Sequence, residues 1–511
     1  MIDGGAAAPA RRCDHRPRGR AQVCRTCAGQ PGPRVVIGKM DGVGAIPPEM
    51  SAATTVTRTQ RRVLLMAAAV VGLCLVLRPQ GTLIVVIAAA IALYIAIFVQ
   101  RIRIFALALG EPDLVSVSDD DARAIPDARL PIYTVLVPAY REPEVIERLL
   151  TALAELDYPR DKLDIKLLLE EDDPATYEAA VAAHPGPHVE IVRVPATGPQ
   201  TKPKACVVGL ARAEGRFVTI FDAEDRPEPL QLRRAVVAFE RRPDLACLQA
   251  KLSYHNAGQN IITRWFTAEY AMWFGQFLPG LARQGAPIPL GGTSNHLRKS
   301  VLDEVGGWDP YNVTEDADLG IRLHRHGYRT GVLDSVTLEE ANSDFVNWVK
   351  QRSRWYKGYL QTWLIHLRDP RRLWRELGPR GFVGFNLFVG GTPLVALINP
   401  IFWVMTGIWF LAKPEFVQAL FPAWLYYASM LCLVFGNFLF VYGAMVSARA
   451  TGRPDLVLAS MLVPIYWLMM SVAAIKALVQ LVSAPSFWEK TTHGLDVERR
   501  PAETATLKAA A

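Results

Sequence analysis

The stretch RFVTIFDAEDRPEP, residues 216–229, decides how the chain is read. Phe217 to Phe221 form a β-branched and aromatic run that leads straight into Asp222, Glu224 and Asp225. Two prolines, Pro227 and Pro229, then break regular structure. A buried strand ending in carboxylates points to a parallel sheet, which binds ligands beyond the carboxyl ends of its strands.

Working outward, the same pattern recurs in DIKLLLEEDD, residues 164–173, while PIYTVLVPAY, 131–140, is an apolar strand closed by a proline turn. EIVRVPA, 190–196, reads as a further strand. Segments of helical period, EVIERLLTALAEL (144–156) and KACVVGLARAEG (204–215), lie between the strands. This alternation over Leu130 to about Asp369 predicts an α/β domain, a parallel sheet with helices on both faces.

The 511 residues are 51% hydrophobic and 21% charged, and the apolar excess lies before Gln100 and after Gly381. Val63–Leu77 and Thr82–Val99 flank the turn Arg78-Pro79-Gln80-Gly81, and each approaches the ~20 residues that span a bilayer. They read as a transmembrane hairpin; a cleaved leader is disfavoured because the second run follows at once. Phe382–Leu411, Trp424–Val446 and Leu456–Val482 read as three more spans, the first preceded by an interfacial helix. The net charge of +7 suggests nucleic acid at first sight. Yet Arg58, Arg61, Arg62, Arg101, Arg103, Arg371, Arg372, Arg375 and Arg380 flank apolar runs, the pattern of loops kept on the cytoplasmic side. The expectation is a multi-pass cell-membrane protein with a cytoplasmic polar block and no nucleic-acid partner.

The expected organisation is a disordered tail (1–57), the hairpin (58–103), the α/β domain (104–369), the interfacial helix with about three spans (370–483), and a C-terminal segment (484–511). Cys13, His15, Cys24 and Cys27 have spacings that suit a zinc knuckle, but no core-forming residues surround them. Seven cysteines imply no disulfide framework.

Several short motifs carry chemistry. Asp222 and Glu224 can grip one face of a divalent cation and leave room for phosphate oxygens, or they are merely an acidic turn. Glu171, Asp172 and Asp173 end a strand in the same way. Lys202 and Lys204 can neutralise a diphosphate. Gly291 and Gly292 in GGTSNHLRK let backbone approach a ligand. In TEDADLGIRLHRHG, 314–327, the acids are an acid–base centre, or Thr314 or Asp316 caps a helix. In QRSRWYKGYLQTW, 351–363, Arg354 can grip phosphate and Trp355 can stack on a sugar, or the helix is simply amphipathic.

In order, these motifs resemble the membrane-embedded family 2 glycosyltransferases: the cellulose, chitin and hyaluronan synthases and their relatives. The resemblance covers roughly Ile132 to Trp355. It implies a GT-A (Rossmann-like) cytosolic domain inserted between transmembrane helices, a UDP-sugar donor, and Mg2+ or Mn2+. Glu171 or Asp172 would hold the uridine, with Lys202, Asp222 and Arg354 also on the donor. Asp222 and Glu224 would hold the metal, although this chain has D-A-E where the family has D-x-D. Asp316 would be the base, and Glu315, Gln351 and Trp355 would line the acceptor site. The acceptor would be a growing β-linked glycan, with accessory export proteins as candidate partners. The rivals are a single-addition transferase acting on a lipid, and a non-catalytic nucleotide-sugar-binding membrane protein.

PSFWEKTTHG, 485–494, resembles the gating loop of such synthases through Trp488, Lys490, Thr491 and His493. Two spans before the domain and three after it would leave this loop outside the cell. A gating role therefore requires an extra crossing or re-entry, at Pro393 or Asn399-Pro400.

Overall fold

A computed structural model of the chain describes residues 34–38, 46–110 and 113–491. The expected strands assemble into one mixed sheet. In chain order they are β1 Arg34–Ile37, β2 Leu114–Val115, β3 Tyr133–Ala139, β4 Leu163–Glu170 and β5 Val189–Val194. After these come β6 Phe217–Ile220, β7 Arg226–Pro227, β8 Leu245–Tyr254, β9 Asn295–Arg298 and β10 Arg329–Glu339. The spatial order is β1-β5-β4-β3-β6-β9-β8-β10-β2, with β7 paired to β10. From β1 to β6 every pairing is parallel. The antiparallel β9 then separates β6 from β8.

Side chains alternate between two cores. Val135, Val137, Leu167 and Leu169 pack on one face of the sheet, and Leu136 and Leu168 on the other. Strands covered on both sides need the unbroken apolar runs seen in the sequence. The carboxyl ends of β3, β4 and β6 therefore emerge together, beside the break in parallel order.

Helices around the sheet and its ligand edge include α1 Arg58–Leu77, α2 Pro79–Gly110, α3 Lys202–Leu210, α4 Glu315–Arg325, α5 Phe345–His366, α6 Gly391–Ala412, α7 Ala423–Ala450 and α8 Val463–Ser483. Among the described residues, five helical stretches are long and apolar enough to cross a membrane: α1, α2, Pro370–Ala412 (which ends in α6), α7 and α8. α1 buries none of its residues and leaves most of its apolar surface exposed. Pro370–Phe385 ahead of α6 is kinked at Gly378, whose φ is 64°.

Two expectations are corrected. The tail is not unstructured throughout. Val35, Val36 and Ile37 extend the sheet beside β5, and Ser51 donates to Asp309 at 3.1 Å. The Ala/Arg/Gly/Pro bias of the whole tail masked one four-residue apolar run. The four zinc-knuckle candidates lie outside the described residues. The hairpin's second helix also continues past residue 103 to Gly110.

The described part of the C-terminal segment packs against the α/β domain, where a gating role would need it. Near its start, α8 packs Tyr466 on Trp348 of α5, ring centroids 5.1 Å apart. Just past its end, Phe487 O accepts from Lys357 Nζ of α5 at 2.7 Å, and Pro485 O accepts from Gln361 at 3.0 Å. Both ends of α8 thus touch one helix of the α/β domain. Residues 485–491 lie against that domain, not on the far side. α6 runs unbroken through both Pro393 and Pro400, the positions a re-entry would have used.

Candidate active site

A cavity of about 890 Å³ opens beyond the carboxyl ends of β3, β4 and β6 and continues between α2, α6, α7 and α8. Of the predicted residues, it gathers Lys202, Asp222, Glu224, Glu315, Asp316, Gln351, Arg354, Trp355, Trp488, Lys490 and Thr491 on its walls. His493 lies outside the described residues.

The turn after β6 is held by its third acid. Asp225 accepts from the Asp222 backbone N–H at 2.7 Å and from the Thr293 hydroxyl. Asp225 is buried, which leaves Asp222 and Glu224 to face the cavity. Lys202, at the start of α3, pairs with Asp222 and donates to Gly292 O at 2.8 Å. Burial works against its charge, but Asp222 and Glu315 hold its pKa above the usual lysine value.

Too many carboxyls crowd this corner for all to ionise. Burial, then the charge of Asp222, pushes Glu224 up to about 8. Asp225 and Glu339 are also raised, by burial and by their acidic neighbours. A divalent cation on Asp222 and Glu224 would relieve that repulsion, so the residues fit one. Among the described residues no group of three or more His, Cys, Asp or Glu side chains could hold a metal ion.

Helix capping does not explain the T-E-D acids. Thr314 occupies the N-cap of α4, but its side chain makes no capping bond, and its buried hydroxyl has no partner. Asp316 accepts from the Ala317 N–H at 2.7 Å and faces the cavity. Burial lifts it to about 6 against the pull of Lys202 and Arg354, and lifts Glu315 further because Asp316 stands beside it. A Cβ on Gly292 would come 3.5 Å from the Asp316 carboxylate and 3.7 Å from Lys202 Nζ, so the loop backbone lies directly against both. Gly358 of α5 provides a second close approach: a Cβ there would stand 2.7 Å from Thr314 Cβ. That glycine lets α5 seat against the start of α4.

α5 supplies the next wall. Arg354 is within electrostatic reach of Glu315, Asp222, Asp316 and Glu224, and among the described residues its buried Nε has no hydrogen-bond partner. Its guanidinium lies 4.3 Å from the Trp488 ring centroid. Gln351 accepts from Asn342 at 2.9 Å. Trp355 stacks on Tyr270 at 6.3 Å and carries Arg352 on its face at 4.4 Å. Lys490 pairs with Glu142 at 3.1 Å, so the C-terminal loop closes over the mouth from α5 to the end of β3.

The two proposed uridine ligands are placed differently. Glu171 is exposed and accepts from the Ala196 N–H at 3.2 Å, while Asp172 accepts from Tyr140 at 3.1 Å and Gln200 at 3.0 Å. Neither lines the cavity. Glu170 does, buried and paired with Lys204 at 3.1 Å. Its position as the last residue of β4 was the signal that four consecutive acids obscured. Tyr359 and Glu339 also line the cavity and belong to no motif.

Residues 131–358 match the family described as "Glycosyltransferase like family 2", and the chain carries a domain of that family, with the expected α/β GT-A fold. Among its relatives is a beta-monoglucosyldiacylglycerol synthase from Synechocystis sp., 31% identical over 253 residues, 48% of this chain and 51% of that protein. A probable glucomannan 4-beta-mannosyltransferase 1 from Arabidopsis thaliana is 28% identical, over 47% of this chain and 44% of that one. The chain thus spans about half the length of the curated relatives it matches. Among solved structures, a mannosyltransferase from Pyrobaculum calidifontis, in complex with GDP-Man and Mn2+, aligns at a TM-score of 0.48. It is 18% identical, over 79% of this chain and 99% of that one.

Proposed function

We propose that the protein is a membrane-embedded, inverting glycosyltransferase that moves a sugar from a UDP-sugar to the hydroxyl of a growing β-linked glycan. What carries this reading is one cavity that holds Asp316, the Asp222/Glu224 pair, Lys202 and Arg354 at one end and runs between apolar helices at the other. Asp316 takes the proton of the acceptor hydroxyl as that oxygen bonds to the anomeric carbon. The bond from that carbon to the diphosphate oxygen breaks, and UDP leaves with the electron pair. Lys202 and Arg354 stabilise the charge that develops on it. A divalent cation on Asp222 and Glu224 would add Lewis-acid stabilisation of the same oxygens. Trp488, Lys490 and Thr491 form the lid that excludes water.

A second reading, a lipid as acceptor, is favoured by the helical walls of the cavity, which give an acyl chain a way in from the side. Purified protein in lipid, supplied with each UDP-sugar and Mn2+, tests both. UDP release with product that lengthens over time supports extension, and a single sugar on a lipid supports the second reading. No UDP release from any UDP-sugar overturns both. Asp222→Ala is expected to abolish the Mn2+-dependent gain in UDP affinity, measured by titration calorimetry with and without the ion. Equal UDP affinity with and without Mn2+ in the unaltered protein would remove the metal from the reading.

A further inference from the structure

The membrane end of the cavity holds a cation that the transfer reaction leaves unused. Arg101 of α2 lines the cavity and donates to Thr392 Oγ1 at 3.2 Å. Its guanidinium lies over Phe277, Phe388 and Phe440, at 5.7, 5.9 and 5.2 Å from the ring centroids. Among the described residues it makes no ion pair. An acid within electrostatic reach, Glu269, is already committed to Arg352 at 2.8 and 2.6 Å and to Tyr466 at 2.8 Å. An arginine has five donors, and aromatic faces satisfy its charge without using them.

The box around Arg101 is built by interrupting regular structure. Phe277 and Phe388 come from single π-helical turns, Trp273–Phe277 and Asn386–Gly390, and Phe440 follows a third, Cys432–Gly436. Such turns interrupt helices mostly at functional sites. The depth is also specific. At 1.5 Å per residue Arg101 stands roughly 33 Å along α2 from Pro79. A hydrocarbon core is about 30 Å thick, which puts Arg101 at the headgroup level on the side of the α/β domain. Arg101, Tyr359 and Asp316 line the same cavity, so the site and the base share one continuous space.

We propose that Arg101 and Thr392 bind the phosphate of a membrane lipid that enters the cavity between α2, α6 and α7. The proposal rests on the lipid-acceptor reading and narrows it: the lipid that reaches Asp316 carries a phosphate. Bidentate donation from a guanidinium suits phosphate oxygens, and burial strengthens it.

The test is tryptophan quenching in the detergent-solubilised full chain, since Trp273 lines the same cavity. Brominated phosphatidic acid and brominated diacylglycerol are the probes. Phosphatidic acid is expected to bind about tenfold tighter, the scale of one charge-assisted pair. Arg101→Gln removes that preference, and Arg101→Lys retains part of it. UDP affinity in the same samples stays unchanged, which separates a lost lipid site from a failure of the donor reading. Equal binding of the two lipids, or a preference that survives Arg101→Gln, overturns the proposal. Displacement of the lipid by inorganic phosphate alone at equal concentration overturns it too, assigning the site to the free anion.

Discussion

Asp316→Asn is expected to lower transfer by roughly 10²–10⁴-fold, the contribution typical of a general base, while UDP binding stays near that of the unaltered protein. The amide keeps the shape and the bond from Ala317 but cannot take a proton. The same carboxyl sets the acidic limb of the pH profile. Burial raises it to about 6, so transfer falls as pH drops through that value and the base protonates. Above it the limb is flat until another group titrates. Stopped-flow UDP release from pH 5 upward checks both points. Unaltered turnover in Asp316→Asn, or a limb that persists in the mutant, would take Asp316 out of the mechanism.

Arg354→Gln is expected to cost about 10²–10³-fold in kcat, or ~2.7–4 kcal/mol, the range for losing one preorganised donor to developing negative charge. Its position sets that scale. Arg354 faces four carboxylates, has a buried Nε with no hydrogen-bond partner among the described residues, and carries Trp488 on its face. A phosphate seated there gains a fork that lysine cannot reproduce, so Arg354→Lys recovers little. Donor affinity falls less than kcat if the charge matters most in the transition state. A loss confined to KM would make Arg354 a binding residue only.

Much of this was legible in the sequence because strand ends and acids coincide. Parallel strands buried on both faces must be apolar, so Phe217–Phe221 and Leu167–Leu169 stood out, and the acids that come after them had to lie at the ligand edge. Legibility fell where the pattern offered too many candidates. In Glu170-Glu171-Asp172-Asp173 only the residue still on the strand faces the cavity, and a shift of one position exchanges faces. Thr314 fitted the preference for an N-cap, yet tertiary packing against Gly358 decided its side chain. Arg101 read as one more flanking charge, because nothing local to it reports that three distant phenylalanines converge on its guanidinium. The position of the C-terminal loop was hidden for a similar reason. Hydropathy measures whether a helix tolerates lipid, and does not report that Tyr466 of α8 and the loop beyond its end meet α5.

Both ends of the membrane-associated part are tied to the same body. Ser51 and Ala52, ahead of α1, are bonded to Asp309 of the α/β domain, and Pro485 and Phe487, beyond α8, are bonded to α5. A protease site engineered just before α1 and another in the loop after α8 are therefore expected to be cut from one compartment, the one that holds the nucleotide sugar. Sealed vesicles of a single orientation would protect both sites together or expose both together.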